Sequence, residues 1–194
     1  MNFSEKEKIK TLQNSLYFER ALFIVGPPNA GKSYQIRNMF RDIRFRNGGI
    51  PLPNNRRPGK INLSNERKLL LRIMSPQENG EDWEKFITKI LKTAQSGRWN
   101  LVSAMQTDPT NMETDPSNKM PDLKQCIKDF ISEFNPERIR VCFLSPIHNG
   151  DMLPNEIFEV TIPSLLRLDN RIECCTIDAN HDHGLFLADF FDFT

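Results

Sequence analysis

Along the chain, short unbroken apolar runs alternate with stretches in which apolar residues recur every three to four positions. Ala21, Leu22, Phe23, Ile24 and Val25 form a run of the kind shown by a strand buried on both faces. Residues 32–46 carry Ile36, Phe40 and Ile43 at i, i+4, i+7, so a helix is expected there with all three turned to the core. Two strands over 61–64 and 68–74, with a turn at Asn65 and Glu66, come next. A helix over 81–96 follows, with Trp83, Phe86, Ile87, Ile90, Leu91 and Ala94 as its stripe and Gly97 at its end. A strand over 99–105 leads to a helix over 122–134, whose apolar side is Leu123, Ile127, Phe130, Ile131 and Phe134. Strands over 138–144, 157–162 and 174–177 complete the pattern, with a short helical turn over 163–168. Residues 4–19 read as an amphipathic helix: Ser4 and Glu7 fit a capping box, and Ile9, Leu12 and Leu16 make one stripe. The aromatic tail over 185–193 is expected to close the core.

Strands alternating with helices predict an α/β fold, a mostly parallel sheet with helices on both faces. At 194 residues the chain is read as one domain with a full hydrophobic core. Net charge is +1, so a nucleic-acid surface would have to be a local patch. No apolar run approaches the roughly 20 residues of a membrane helix. The start, Met1-Asn2-Phe3-Ser4-Glu5-Lys6, is charged at once and has no signal-peptide core. The expected location is cytoplasmic, with no membrane partner. Cys126, Cys142, Cys174 and Cys175 form no C-x-x-C pair and read as buried free thiols.

The stretch after the first apolar run reads Gly26-Pro27-Pro28-Asn29-Ala30-Gly31-Lys32-Ser33, which is G-x-x-x-x-G-K-[ST] without a gap. Strand, glycine loop and helix in that order is the context in which backbone N–H groups fold inward as a nest for phosphate oxygens. The following helix would add its own free N–H groups. Lys32 would reach the β- and γ-phosphates, and Ser33 Oγ would ligate Mg²⁺. Four constrained positions match a chain of this length by accident in roughly 1% of cases. On these residues the chain resembles the P-loop NTPase superfamily. The resemblance implies a nucleotide bound by residues 26–33 with Mg²⁺, at the carboxyl ends of the strands.

That superfamily usually offers a second Mg²⁺ ligand, an acid ending a neighbouring apolar strand. No clean example lies beside this loop. Glu78 falls where such an acid would come in chain order, though four residues beyond its strand, and a Glu there could orient an attacking water. Asp178 ends the last strand and Asp108 follows Gln106; each also reads as a strand-end acid capping the next helix. Gln106, at the end of an apolar strand, is either an ordinary strand-end amide or, as the resemblance implies, a γ-phosphate sensor. His181 and His183 are set two apart and lack a third metal ligand; with Asp182 they read as a loop with a capping acid. His148 stands alone and carries no signal.

Arg37, Arg41 and Arg44 repeat at helical spacing, and Arg46, Arg56, Arg57 and Lys60 extend the basic stretch through a Gly-, Pro- and Asn-rich loop over 47–60. The two readings are a solvated face and a surface for phosphate-rich partners, nucleic acid included. Residues 107–121, with Pro109, Pro116 and Pro121, read as a lid-like loop. Three functions follow. The first is an ATP-binding and ATP-hydrolysing switch, or an assembly subunit of a larger complex, with a protein partner or further copies of itself. The second is a small kinase, weakened by a lid whose one basic residue is Lys119. The third is a scaffold with a degenerate loop. ATP is preferred over GTP because the guanine-reading N-K-x-D pattern is absent.

Overall fold

The computed structural model describes residues 16–55, 59–94, 96–107 and 120–192. Among them are six strands in a single sheet: β1 (Leu16–Val25), β2 (Lys60–Asn62), β3 (Arg67–Arg72), β4 (Gly97–Met105), β5 (Arg138–Leu144) and β6 (Ile172–Ile177). Their order is β2-β3-β4-β1-β5-β6. β1 runs parallel to both β4 and β5, β3 is parallel to β4, and β6 is parallel to β5; β2 alone is antiparallel, the hairpin partner of β3. The fold is therefore α/β with a mostly parallel sheet, as the sequence predicts.

Side chains on β1 alternate between two cores, as the period of two requires. Phe18, Ala21, Phe23 and Val25 face a cluster built with helices α2 (Trp83–Thr93) and α3 (Leu123–Phe134), through Phe86, Ile90, Leu123, Ile127 and Phe130. Edge-to-face rings tie strand to helix there, with Phe18 and Phe23 centroids 5.7 and 5.4 Å from Phe130. Leu22 and Ile24 face the opposite cluster, with Ile36 of α1 (Lys32–Asn38) and with Leu187 and Ala188 of α5 (Gly184–Phe190). Helices thus cover both faces. Asp82 and Asp122 accept from the backbone N–H groups of Lys85 and Gln125, so the two longest helices start at acid caps.

Several expectations are corrected. Leu16–Val25 is strand, so an amphipathic helix cannot run to residue 19; residues 4–15 lie outside the described residues. The long helix over 32–46 stops at Asn38 and breaks into two 3₁₀ turns, Met39–Arg41 and Ile43–Phe45. Asp42 ends the first turn in an extended conformation and caps the second, which turns Ile43 outward, 81% exposed. Residues 157–162, read as a strand, are helical: a π-turn (Ile157–Thr161) running into α4 (Ile162–Leu166). The tail's expected part in the core is met by α5 and the residue after it, which bury Leu187, Ala188 and Phe191 while Leu185 and Phe186 stay exposed. Among the four free cysteines, Cys126 and Cys142 are buried and the other two half-buried. No helix among the described residues is long and apolar enough to cross a membrane.

Candidate functional site

Because five strands are parallel, the segments leaving β1, β3, β4, β5 and β6 all emerge on one edge of the sheet. Residues 26–33 leave β1 at its centre. Gly26 donates its N–H to Met105 O at 3.2 Å, which locks the loop's first residue beside the end of β4. A side chain on Gly26 would put a Cβ 2.9 Å from Ala30 Cβ, so this turn closes only with glycine. Asn29 and Gly31 take positive φ, 59° and 95°, which curls the loop back on itself before α1 begins. The first α-helical bond of α1 runs from Gln35 N–H to Gly31 O, 3.1 Å, so the amides before it have no partner within the helix.

Lys32 is 3% exposed. Its Nζ donates to Gly26 O at 3.0 Å and Pro27 O at 2.6 Å, and lies 3.6 Å from Glu78 Oε1. Burial lowers the Lys32 pKa, and the Glu78 carboxylate opposes that shift. Ser33 Oγ donates to Ile73 O at 3.1 Å, tying the start of α1 to the chain just beyond β3. Glu78 sits in a 3₁₀ turn (Gln77–Asn79), its Oε2 accepting Ser75 N–H at 2.9 Å while Ser75 Oγ accepts Glu78 N–H at 3.3 Å. This reciprocal bracket holds the carboxylate against the loop although it is four residues past the strand. Asn29, Ala30, Gly31, Lys32, Ser33, Glu78 and His148 together line an open cavity of about 350 Å³.

His148 carries no sequence signal. It reaches the cavity because β5 is the other neighbour of β1, so the turn after β5 stands beside Gly31. That turn is braced by bonds from Ile147 N–H to Asp151 O and from Asn180 Nδ2 to Ile147 O. Gln35 is a second residue without a sequence signal. It is fully buried, donates to His181 O at 2.6 Å and accepts His183 N–H at 3.1 Å, pinning the segment after β6 to α1.

The other candidates separate. Gln106 follows β4, next to the loop; it is 4% exposed, its Oε1 has no hydrogen-bond partner, and it does not line the cavity. Asp178 is apart from the cavity. Its carboxylate accepts Asn180 N–H at 2.8 Å and meets His181 Nδ1 at 2.9 Å, bonds that lower its pKa, the Asn180 amide first. It closes a local turn and faces neither Lys32 nor Ser33. Asp108, Arg56, Arg57 and most of the lid-like loop lie outside the described residues. No group of three or more His, Cys, Asp and Glu that could hold a metal occurs among the described residues.

The arginine row over 37–44 is engaged within the protein. Arg37 is buried and donates to the carbonyls of Leu52, Pro53 and Asn54, pinning the loop over 47–60 to α1. Arg41 pairs with Asp182, and Arg44 with both Asp42 and Asp189. Arg37 is thus committed inside the protein, while Arg41, half-exposed, and Arg44 are paired nearer the surface.

Comparison with known proteins finds no family model that matches the chain and no curated protein that matches it.

Proposed function

We propose that this chain binds ATP with Mg²⁺ at residues 26–33 and hydrolyses it, serving as a nucleotide-dependent switch or assembly subunit within a larger complex. The observation that carries this reading is the convergence of Lys32 and Ser33 with Glu78, from two stretches of sequence, on one loop that only glycine lets close. The residues fit the ligand. A curled backbone and a buried lysine suit a triphosphate, and a hydroxyl and a carboxylate are the hard oxygen donors Mg²⁺ takes. Mg²⁺ would neutralise charge developing on the phosphates. Lys32 would trade its contacts with Gly26 O, Pro27 O and Glu78 for a phosphate oxygen. Glu78, released from Lys32 and still held through Ser75, would accept the proton of an attacking water.

Incubating the protein with γ-labelled ATP and Mg²⁺ tests the reading. Label released as free phosphate, and lost with Lys32→Ala, is expected. Label in an acceptor molecule would replace hydrolysis with phosphoryl transfer to a small molecule, and absence of both binding and turnover would overturn the proposal.

A further inference from the structure

At the opposite edge of the sheet a second site is built from residues far apart in sequence. Arg67 of β3 stands directly opposite Arg98 of β4, and Arg20 of β1 opposite Asn100 of β4. Like charges facing each other across strands repel, so something must hold Arg67 and Arg98 together. Part of the answer is a β-bulge. Phe18 pairs with Trp99 and Arg20 with Asn100, which leaves Glu19 as an extra residue on β1. Its carboxylate is 1% exposed and meets Arg98 at 2.5 Å, Arg67 at 3.2 Å and Arg20 at 3.9 Å.

Among the described residues, Arg67 and Arg98 pair with this one carboxylate, while Arg20 has others near it. Asp192 lies 3.9 Å from Arg20 but also pairs with Arg138, and Glu66 stands at the rim. Glu137 acts on Arg20 as well, so Arg20 and Arg138 have further carboxylates, whereas Arg67 and Arg98 share Glu19. Burial lowers the Arg20 pKa; Glu19 opposes that, and the guanidiniums of Arg67 and Arg138 add to it. The arginines do not close on one another. Arg20, Arg67, Arg98, Asn100, Ser64 and Phe191 line a cavity of about 300 Å³, the size of a small-ligand site. Asn100 is 2% exposed; its Nδ2 donates to Glu19 Oε2 at 3.2 Å, which fixes the amide's orientation, and its Oδ1 accepts no hydrogen bond.

We propose that this cavity binds a small oxyanion that carries a hydrogen-bond donor, of the hydrogen phosphate or hydroxycarboxylate class. Its oxygens take the forked N–H groups of Arg67 and Arg98, and its hydroxyl donates toward Asn100 Oδ1. Arg20 lies six strand residues before Gly26, about 20 Å from the 26–33 loop, so this site is separate from the nucleotide site and does not depend on it.

The test is titration of hydrogen phosphate, sulfate, glycolate and acetate into the ¹⁵N-labelled full chain at neutral pH, following the Asn100 side-chain amide and the arginine Nε–H resonances. Saturating shifts at Asn100, Arg67 and Arg98 are expected, with hydrogen phosphate about two- to tenfold tighter than sulfate, which has the same shape without the proton. The tighter of hydrogen phosphate and glycolate names the class, and glycolate should exceed acetate. Arg98→Gln, at a half-exposed position, should weaken binding by about tenfold or more, with Arg67→Gln as the alternative should that variant not fold. Lys32→Ala should leave these shifts unchanged. Shifts confined to residues 26–33, shifts that never saturate, or unaltered affinity in the arginine variants would overturn the site. Equal affinity for sulfate and hydrogen phosphate would overturn the part given to Asn100.

Discussion

The seat of α5 on α1 offers a prediction whose sign is diagnostic. Gly184 opens α5, and a Cβ added there would lie 2.2 Å from Asn38 C, 2.3 Å from Asn38 O and 2.7 Å from Asn38 Cβ. Non-bonded carbons rest at about 3.5–4.0 Å, so the overlap exceeds an ångström, and most of it is against backbone. No rotamer change relieves it. Either α5 lifts off α1, opening the cluster that holds Ile36, Met39, Leu187 and Ala188, or α1 shifts and takes the 26–33 loop with it. Overpacking of this kind costs about 1–3 kcal/mol, and a backbone clash belongs at the upper end. For a chain of this size that lowers Tm by about 6–12 °C. In open space the same change would do the reverse, because alanine is better than glycine in a helix by about 0.5–1 kcal/mol. Thermal and urea unfolding followed by circular dichroism decide between the two. A Gly184→Ala variant with the parent's Tm, or a higher one, would refute the close α1–α5 contact on which the placement of α1 rests.

Three further outcomes are expected. Lys32→Ala removes a charge-assisted contact to phosphate and should weaken Mg·ATP binding about tenfold to a hundredfold in calorimetry with the fold retained; unchanged affinity would remove residues 26–33 as the nucleotide site. Glu78→Gln keeps the bracket with Ser75 but not the base, so ATP should bind while phosphate release falls about 10²–10⁴-fold; equal release from variant and parent would assign the base elsewhere. Arg171 grips Asp169 through two bonds, 2.8 and 2.9 Å, and holds that carboxyl down at about 2. A depressed carboxyl stabilises above its ordinary pKa and loses that contribution as pH falls through the folded value, so Asp169→Asn should cost about 1–2 kcal/mol at neutral pH, and the difference should have largely gone by about pH 2; a pH-independent difference in urea midpoint would contradict it.

The parts of this molecule legible in the sequence are those set by local pattern. An unbroken apolar run can only be a buried strand or helix, and the glycine loop after residues 21–25 decided for strand. The stripes around Phe86 and Phe130 gave helices with the right inward faces. What failed was decided by distant contacts. Ile157, Val160, Thr161 and Ile162 have strand character, yet the sheet is complete without them and the segment is helical, packing Ile157, Phe158 and Ile162 against the core. Ile43 fits a helical stripe that Asp42 breaks by capping the next turn. At the candidate site, Lys32 and Ser33 were visible because the loop is contiguous. Glu78 was visible through chain order alone, and its distance from the strand is absorbed by the Ser75 bracket. His148 and Gln35 had no local signal, since their places follow from strand order and from the return of the chain after β6.

The two sets of arginines show why charge read along a sequence misplaces charge in space. Arg37, Arg41 and Arg44 are dense in sequence, and a linear scan sees one acid near them, Asp42. Folding brings Asp182 and Asp189 from the far end of the chain, and loop carbonyls to Arg37, so the row is neutralised or bound where it stands. Arg20, Arg67 and Arg98 are each more than thirty residues from the next and form no run at all. Parallel register sets Arg67 directly against Arg98 and places Arg20 opposite Asn100, two residues further along β4. Helical spacing concentrates charge within an element, where nearby chain can answer it; strand register concentrates charge between elements, where each like neighbour arrives with its own strand. The bulged residue Glu19 meets all three guanidiniums, and Asp192 meets Arg20 as well. Arg67 and Arg98, which share the Glu19 carboxylate, therefore stand at the amino edge of the sheet, opposite the loop that dominates the sequence.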